Sequence, residues 1–120
     1  MNGFRTFVAL ASATTLAIAG PAFAHAELVR SNPAANATVG SPRTITLTFN
    51  ERVVPAFSKF ELTMPAHRMD IPVTTTVSRD GKRIVGTVGS RLMKGSYRVS
   101  WTAAGSDGHK MTGSYSFKVG

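Results

Sequence analysis

The 120-residue chain is predicted to be all-β: a Greek-key sandwich or barrel of the immunoglobulin-like kind, with about seven strands. Three observations predict this class. Apolar residues repeat with a period of two, turn-forming residues separate these runs at short intervals, and no segment has the 3.6-residue period of an amphipathic helix. Many short strands with regular turns in one small chain favour a sandwich over a helical fold.

The clearest strand runs from Arg43 to Phe49. Ile45, Leu47 and Phe49 point to one side, and threonines alternate with them, which is typical of a half-buried antiparallel strand. The same alternation recurs four times, and its apolar residues complete the predicted core. These residues are Phe60, Leu62, Met64, the run from Ile71 and Val73 to Val77, Tyr97, Val99, Trp101, Tyr115, Phe117 and Val119.

Turn chemistry lies between the alternating segments. Asp80-Gly81 predicts a hairpin with a two-residue type I′ turn, because these residues tolerate the positive φ angles that this turn requires. The other turn signals are Asn32-Pro33, Gly40-Ser41-Pro42, Lys94-Gly95, Gly105-Ser106 and Asp107-Gly108.

Residues 1–24 have the features of a secretory signal peptide. Arg5 supplies a positive start, Phe7 to Ala19 an apolar run, and Ala22-Phe23-Ala24 a small-residue cleavage site. The apolar run is shorter than the roughly 20 residues that a membrane-spanning helix needs. Export followed by cleavage after Ala24 would leave residues 25–120 as one domain that begins with His25.

Composition narrows the classes of function. The chain has no cysteine, so the exported domain must rely on core packing, and a metal must be held by imidazole, carboxylate, thioether or terminal amine. The net charge is +8, but the basic residues form no run and no aromatic platform lies between them, so nucleic-acid binding is not expected. A cationic, solvated surface is favoured, with weak attraction to anionic membranes left open. The scattered basic residues include Arg43, Arg52, Lys59, Arg68, Arg79, Arg91 and Lys110.

The chain has three histidines, His25, His67 and His109. An amino-terminal His25 would offer two nitrogen ligands, its α-amine and its ring, to one metal ion. Asp107 and His109 are two residues apart, so on an extended segment their side chains would share a face. Three nitrogens and one carboxylate oxygen form the tetragonal ligand set that suits Cu(II). A capped loop without metal is the alternative interpretation of Asp107 and His109.

Several motifs occur in an order that resembles a known family. They are His25-Ala26-Glu27-Leu28-Val29, Ser31-Asn32-Pro33-Ala34, the strand from Ile45 to Glu51, Gly95 to Trp101, Ser106-Asp107-Gly108-His109 and Gly113 to Phe117. Together they span residues 25–120 and are similar to the CopC/PcoC family of periplasmic copper-binding proteins. The resemblance implies a Greek-key β-barrel, similar also to cupredoxins.

The resemblance also implies a site and a role. Cu(II) would be bound by the α-amine and ring of His25, the carboxylate of Asp107 and the ring of His109. The protein would be a monomer in the periplasm that confers copper resistance, by sequestering copper or by delivering it to an inner-membrane copper transporter of the CopD type.

A second, weaker site is suggested by the loop that follows the strand ending at Met64. Many relatives bind Cu(I) in a methionine-rich loop, and soft thioethers suit that ion. This chain keeps only Met64, His67 and Met69, so the predicted Cu(I) site is weak. The alternative is that Met64 completes the core face of its strand while the other two residues lie on a loop.

Three functions compete. The leading hypothesis is a copper-binding module that is not an enzyme. The second is an oxidative copper enzyme of the histidine-brace type, which is disfavoured because Asp107 would fill the position that a catalytic metal keeps open. The third is an immunoglobulin-like interaction domain without metal.

Overall fold

The computed structural model describes residues 25–120, so the predicted signal peptide, residues 1–24, lies outside the described residues. These residues form nine β-strands and two single-turn 3₁₀ helices. The 3₁₀ helices are Pro55–Phe57 and Pro65–His67. The strands are β1 (Leu28–Asn32), β2 (Thr38–Val39), β3 (Thr44–Phe49), β4 (Lys59–Met64), β5 (Met69–Ile71), β6 (Val73–Val77), β7 (Arg83–Val88), β8 (Gly95–Ala104) and β9 (Lys110–Val119).

The strands form two sheets that pack face to face. One sheet has the order β1-β3-β7-β6, and the other has the order β2-β9-β8-β4-β5. Among the described strands every pairing is antiparallel except that of β2 with β9. The predicted class, an all-β sandwich, is therefore confirmed, and short β2 and β5 raise the number of strands above seven. Residues 25–120 contain no helix with the length and apolar character needed to cross a membrane.

The core lies between the two sheets and contains most of the predicted residues. Ile45, Leu47 and Phe49 of β3 are buried, as are the predicted inward residues of β4. The strand β7 adds Ile84 and Val88, which the period-two pattern did not identify. Five predicted core residues are only partly buried and pack against the core: Ile71, Val73, Val77, Trp101 and Tyr115.

The alternation predicted one strand from Ile71 to Val77, but the structure has two strands there. The segment breaks at Pro72 into β5, which pairs with β4, and β6, which pairs with β7 in the other sheet. Proline has no backbone N–H to donate to a strand ladder, so a break is expected at this position. The chain passes from one sheet to the other there.

The hairpin between β6 and β7 is confirmed, but the predicted two-residue type I′ turn is wrong. Residues 79–82 form the connection, because the Ser78 N–H donates to the Arg83 carbonyl at 2.9 Å. Gly81 has a φ of 73°, whereas Asp80 is not among the positive-φ residues, and a type I′ turn requires both. The Asp80 carboxylate accepts hydrogen bonds from the Ser78 hydroxyl and from the Lys82 N–H, which favours the longer turn.

The ten-residue strand β8 defines two ends of the sandwich, roughly 30 Å apart. After Ala104 the chain turns through residues 105–109 into β9, and we call this the histidine end. The start of β8 lies near the loop of residues 89–94 and the turn of residues 65–68, and we call this the opposite end. The topology thus places the predicted Cu(II) and Cu(I) residues at opposite ends of the molecule.

Candidate metal centre

His25 lies at the histidine end on an extended segment that leads into β1. The segment is fixed against the end of β3 by a pair of hydrogen bonds. The Glu27 N–H donates to Asn50 Oδ1 at 2.8 Å, and the Asn50 N–H donates to the Glu27 carbonyl at 3.0 Å. Ala26 is fully buried between His25 and Glu27. The position of the His25 backbone is therefore set by contacts on its C-terminal side.

The second part of the site is the turn between β8 and β9. The Gly108 N–H donates to the Gly105 carbonyl at 3.0 Å, and the Gly105 N–H donates to the His109 carbonyl at 3.1 Å. Gly108 has a φ of 84°, a conformation that glycine adopts without strain. Gly105 also forms an isolated bridge with Val53, in the connection between β3 and β4.

Asp107 and His109 are adjacent for a different reason from the predicted one. The segment is a tight turn and not an extended strand, so the expectation that alternation puts both side chains on one face is wrong. Instead, Asp107 Oδ1 accepts a hydrogen bond from the His109 N–H at 3.0 Å, as the capped-loop alternative predicted. Asp107 Oδ2 lies 2.8 Å from His109 Nδ1.

The structure brings His25 together with this turn. One ligand atom from each of His25, Asp107 and His109 lies within 4.8 Å of the other two. The two imidazole rings have their centroids 5.6 Å apart and their planes inclined by 53°. Residues more than 80 positions apart in the sequence thus form one cluster of potential metal ligands.

The electrostatics of the cluster keep Asp107 ionised. Hydrogen bonds from the His109 side chain and backbone lower the pKa of the Asp107 carboxyl, and the nearby charges of His109 and His25 lower it further. A carboxylate binds a metal only in its ionised form, so Asp107 needs to lose no proton at neutral pH. His25 is half-buried, and the other two residues are exposed to solvent. The cluster is accessible to an ion from solution.

The residues of the predicted Cu(I) site lie at the opposite end. Met64 is 2% exposed, at the end of β4, and pairs across the strands with Met69 of β5, which is 41% exposed. His67 is exposed in the second 3₁₀ helix. A side chain added at Gly95 would come within 2.3 Å of the Met64 methyl carbon, which shows how closely this methionine packs. The alternative interpretation of Met64 as a core residue is confirmed, and Cu(I) binding stays a prediction.

Asn50 contributes to the site but was not among the predicted site residues. Its side chain accepts the hydrogen bond from Glu27 that fixes the segment after His25. The only signal in the sequence is a polar residue placed directly after the alternating strand β3. That pattern is common at strand ends, so its structural role emerges only from the fold.

Comparison with known proteins identifies the family. The family model described as the CopC domain matches residues 28–120. The chain belongs to the CopC family. The matched range includes Asp107 and His109 but begins three residues after His25. The family match therefore does not cover His25, whose position is set by the contacts of the segment that follows it.

Three sequence relatives illustrate the family. Copper resistance protein C of Xanthomonas campestris pv. juglandis is 42% identical over 104 residues, which is 82% of each chain. Copper resistance protein C of Pseudomonas syringae pv. tomato is 38% identical over 120 residues, which is 95% of this chain and 94% of the relative. The copper transport protein CutJ of Bacillus subtilis (strain 168) is 32% identical over 101 residues, which is 82% of this chain but 18% of CutJ.

Solved structures of the family share the fold. The crystal structure of PcoC, a methionine-rich copper resistance protein from Escherichia coli, matches with a TM-score of 0.75 at 38% identity, covering 81% of this chain and all of PcoC. CopC from Methylosinus trichosporium OB3b matches with a TM-score of 0.73 at 28% identity, covering 79% of this chain and 93% of that protein. The resemblance inferred from the sequence motifs is confirmed.

Proposed function

We propose that the exported domain binds one Cu(II) ion through four groups: the α-amine and ring of His25, the carboxylate of Asp107 and the ring of His109. One observation carries this proposal: ligand atoms of His25, Asp107 and His109, which come from two distant segments, lie within 4.8 Å of one another. The α-amine becomes a ligand only if cleavage after Ala24 makes His25 the first residue. Copper is the cargo of such a protein and takes part in no reaction there.

The chemistry of the donors favours Cu(II) over other divalent ions. Three nitrogens and one carboxylate oxygen match its tetragonal preference, and Cu(II) has the highest affinity of the divalent first-row metals for such sites. With no cysteine in the chain, thiolate binding of zinc or Cu(I) is excluded. The ionised carboxylate of Asp107 also adds the negative charge that a dication requires.

The proposed role is copper resistance in the periplasm, by sequestration of Cu(II) and delivery to a membrane copper transporter of the CopD type. Two relatives named copper resistance protein C support this role, and their matches cover 82% and 95% of this chain. A copper transport protein of Bacillus subtilis contains a region similar to this domain as 18% of its length. That arrangement supports a functional connection between such a domain and transport.

Binding is favoured over oxidative catalysis. A catalytic copper keeps a position open in its coordination plane, whereas in the proposed site Asp107 would fill the fourth position beside three nitrogens. The closeness of Asp107 to both histidines supports this. We expect the copper-loaded protein to consume oxygen with ascorbate no faster than an equal concentration of free copper. Clearly faster consumption would favour the enzyme instead.

A Cu(II) titration of the protein that begins at His25 tests the site. We expect one tightly bound Cu(II) per chain, and at least a roughly 100-fold weaker affinity after His25→Ala or His109→Ala, because each change removes a ligand. His67→Ala is the matched control, because His67 lies at the opposite end. Unchanged tight binding in both His25→Ala and His109→Ala would favour a domain without this metal site.

A further inference from the structure

The basic residues are scattered in the sequence, but the fold collects many of them at one end. The strand register divides residues 25–120 into two halves, and the half at the opposite end contains six cationic side chains and only one carboxylate, that of Asp70. All seven residues are exposed. The cationic residues are Arg43, Arg68, Arg91, Lys94, Arg98 and Lys118.

The histidine half has a different balance of charge. It contains seven cationic side chains and five carboxylates, so most of the positive charge of the domain is neutralised there. The positive potential of the domain is therefore greatest at the end farthest from His25, Asp107 and His109. The cationic residues of this half are Arg30, Arg52, Lys59, Arg79, Lys82, Arg83 and Lys110, and the acidic ones are Glu27, Glu51, Glu61, Asp80 and Asp107.

The opposite end also has a defined shape. Residues 41–44 and 87–91 line an open groove of about 560 Å³, to which Arg43 and Arg91 both contribute. The loop beside it is held in place, because the Leu92 N–H donates to Ser41 Oγ at 2.8 Å and the Leu92 side chain is buried. The next residue, Met93, is 55% exposed. The loop thus presents an apolar side chain between two cationic ones, Arg91 and Lys94.

We infer that the opposite end is a docking surface for anionic phospholipids. Exposed cationic side chains near a negatively charged membrane each favour binding, and several acting together are needed for a stable association. The cations lie on several separate loops and strands around the end, so they match a layer of many phosphates better than a single acidic peptide. Met93 is placed to enter the interface between the headgroups and the acyl chains.

This orientation has a consequence for the proposed copper site. A domain bound through the opposite end holds His25, Asp107 and His109 away from the lipid, at a distance set by β8, roughly 30 Å. The cluster then faces the solution, where Cu(II) is captured. The inference does not depend on the proposed function, because lipid binding requires neither copper nor His25.

Vesicle sedimentation tests the inference. The protein that begins at His25 is mixed at low ionic strength with vesicles of phosphatidylcholine alone or of equal parts phosphatidylcholine and phosphatidylglycerol. We expect binding only to the anionic vesicles, and its loss at high salt. The double variant Arg43→Gln/Arg91→Gln should bind about 25-fold more weakly, since each cationic side chain contributes about fivefold. Arg91→Gln/Lys94→Gln should give a similar loss and guards against a folding defect in the first variant.

The matched control removes the same charge at the histidine end. The control is Lys59→Gln/Lys110→Gln. These two lysines lie near the exposed Phe57, and Lys110 Nζ is 5.3 Å from the centre of its ring. The variant therefore also tests whether the histidine end, and not the opposite end, binds the membrane. We expect this variant to bind within about twofold of the original protein. An equal or greater loss in the control would overturn the inference, because net charge or the histidine end would then be responsible.

Three further outcomes would also count against the inference. Equal binding to both kinds of vesicle would exclude anionic lipid as the partner. Binding to polyglutamate without binding to anionic vesicles would assign the surface to an acidic protein. Release from vesicles by inorganic phosphate, but not by chloride of equal ionic strength, would indicate a pocket for a free anion and would contradict a lipid-docking surface.

Discussion

Asp107 has one structural function and one proposed function in metal binding. It shapes the turn between β8 and β9 by accepting the hydrogen bond from the His109 N–H, and in the proposed copper site it contributes a charged oxygen beside His25 and His109. Because hydrogen bonds from His109 lower the pKa of its carboxyl, Asp107 carries its charge at neutral pH. The two functions can be separated by a substitution that keeps the shape and removes the charge.

Asp107→Asn is such a change. The amide oxygen can still accept the hydrogen bond from the His109 backbone, so the turn should persist, but the anionic ligand is lost. We expect Cu(II) affinity to fall by roughly 10- to 100-fold in a competition titration. Asp70→Asn, an exposed carboxylate at the opposite end, is the control and should leave the affinity unaltered. An equal fall in both variants would mean that Asp107 acts only through the overall charge.

At this scale the sequence predicted which three residues the fold brings together but not how they are held. His25 was predicted from the cleavage site, and Asp107 and His109 from their spacing and motif. The distance between the two segments depends on the pairing of β1 with β3 and on the Asn50 hydrogen bonds, which connect residues far apart in the chain. Local patterns do not encode such contacts.

Among the elements, the hairpin of β6 and β7 shows how one carboxylate organises a turn. Asp80 accepts hydrogen bonds from the Ser78 hydroxyl and the Lys82 N–H, and the Ser78 hydroxyl oxygen accepts one from the Arg83 N–H. The Ser78 hydrogen bond lowers the pKa of Asp80 most, followed by that from Lys82. Since the folded state favours the ionised form, Asp80 stabilises the fold only while it is charged.

This linkage predicts a pH-dependent effect of Asp80→Asn. The stabilisation is fully present above the pKa of an unfolded aspartate, about 3.9, and is lost as the pH falls through the lower pKa of the folded state. We therefore expect the variant to unfold at lower urea concentration than the original protein at pH 7, with the difference shrinking below about pH 4. Glu61→Gln is the control, because its contact with Lys59 is long, at 4.0 Å, and exposed. A difference independent of pH would exclude the charge as its cause.

The period-two pattern identified strands whose inner faces are continuously apolar and missed β7, whose inner face is not. The inner face of β3 is Ile45, Leu47 and Phe49, and it was predicted in full. The inner face of β7 is Ile84, Gly86 and Val88, and the central glycine interrupts the apolar alternation. The break at Pro72 and the longer turn at Asp80 were missed because both depend on hydrogen bonds and crossings between sheets.

Gly86 is required by the packing of Phe60 from the facing sheet and of Val73 from the adjacent strand β6. A Cβ atom added there would lie 2.1 Å from Cζ of Phe60 and 2.7 Å from a methyl group of Val73. Gly86→Ala should therefore lower the free energy of unfolding by about 1–3 kcal/mol, measured by urea denaturation. Gly40→Ala is the control, because nothing lies within 4 Å of its added Cβ, and it should change stability little. Equal stability of the two variants would mean that the Phe60 ring moves aside freely.

Considered as a whole, the molecule places the residues of the proposed copper site across the two sheets. His25 precedes β1 in one sheet, and Asp107 and His109 lie between β8 and β9 of the other. A metal ion held by all three would connect both layers at the histidine end. Cu(II) should therefore stabilise the folded state, by about 2.7 kcal/mol when free copper is 100 times the dissociation constant.

The proposed set of four ligands makes the chemical state of the His25 backbone nitrogen decisive. While residue 24 is attached, this nitrogen is an amide and cannot close a chelate with the imidazole; after cleavage it is an amine that a metal can bind near neutral pH. A protein that retains Met before His25 should consequently bind Cu(II) much more weakly and gain less thermal stability from it. Calorimetric titration and thermal unfolding of both forms measure this, with His109→Ala in each form as the control. Equal affinity of the two forms would show that the side chains suffice. The expected difference would support the proposal that removal of the predicted leader also activates the site. The protein would then capture copper only after export from the cytoplasm.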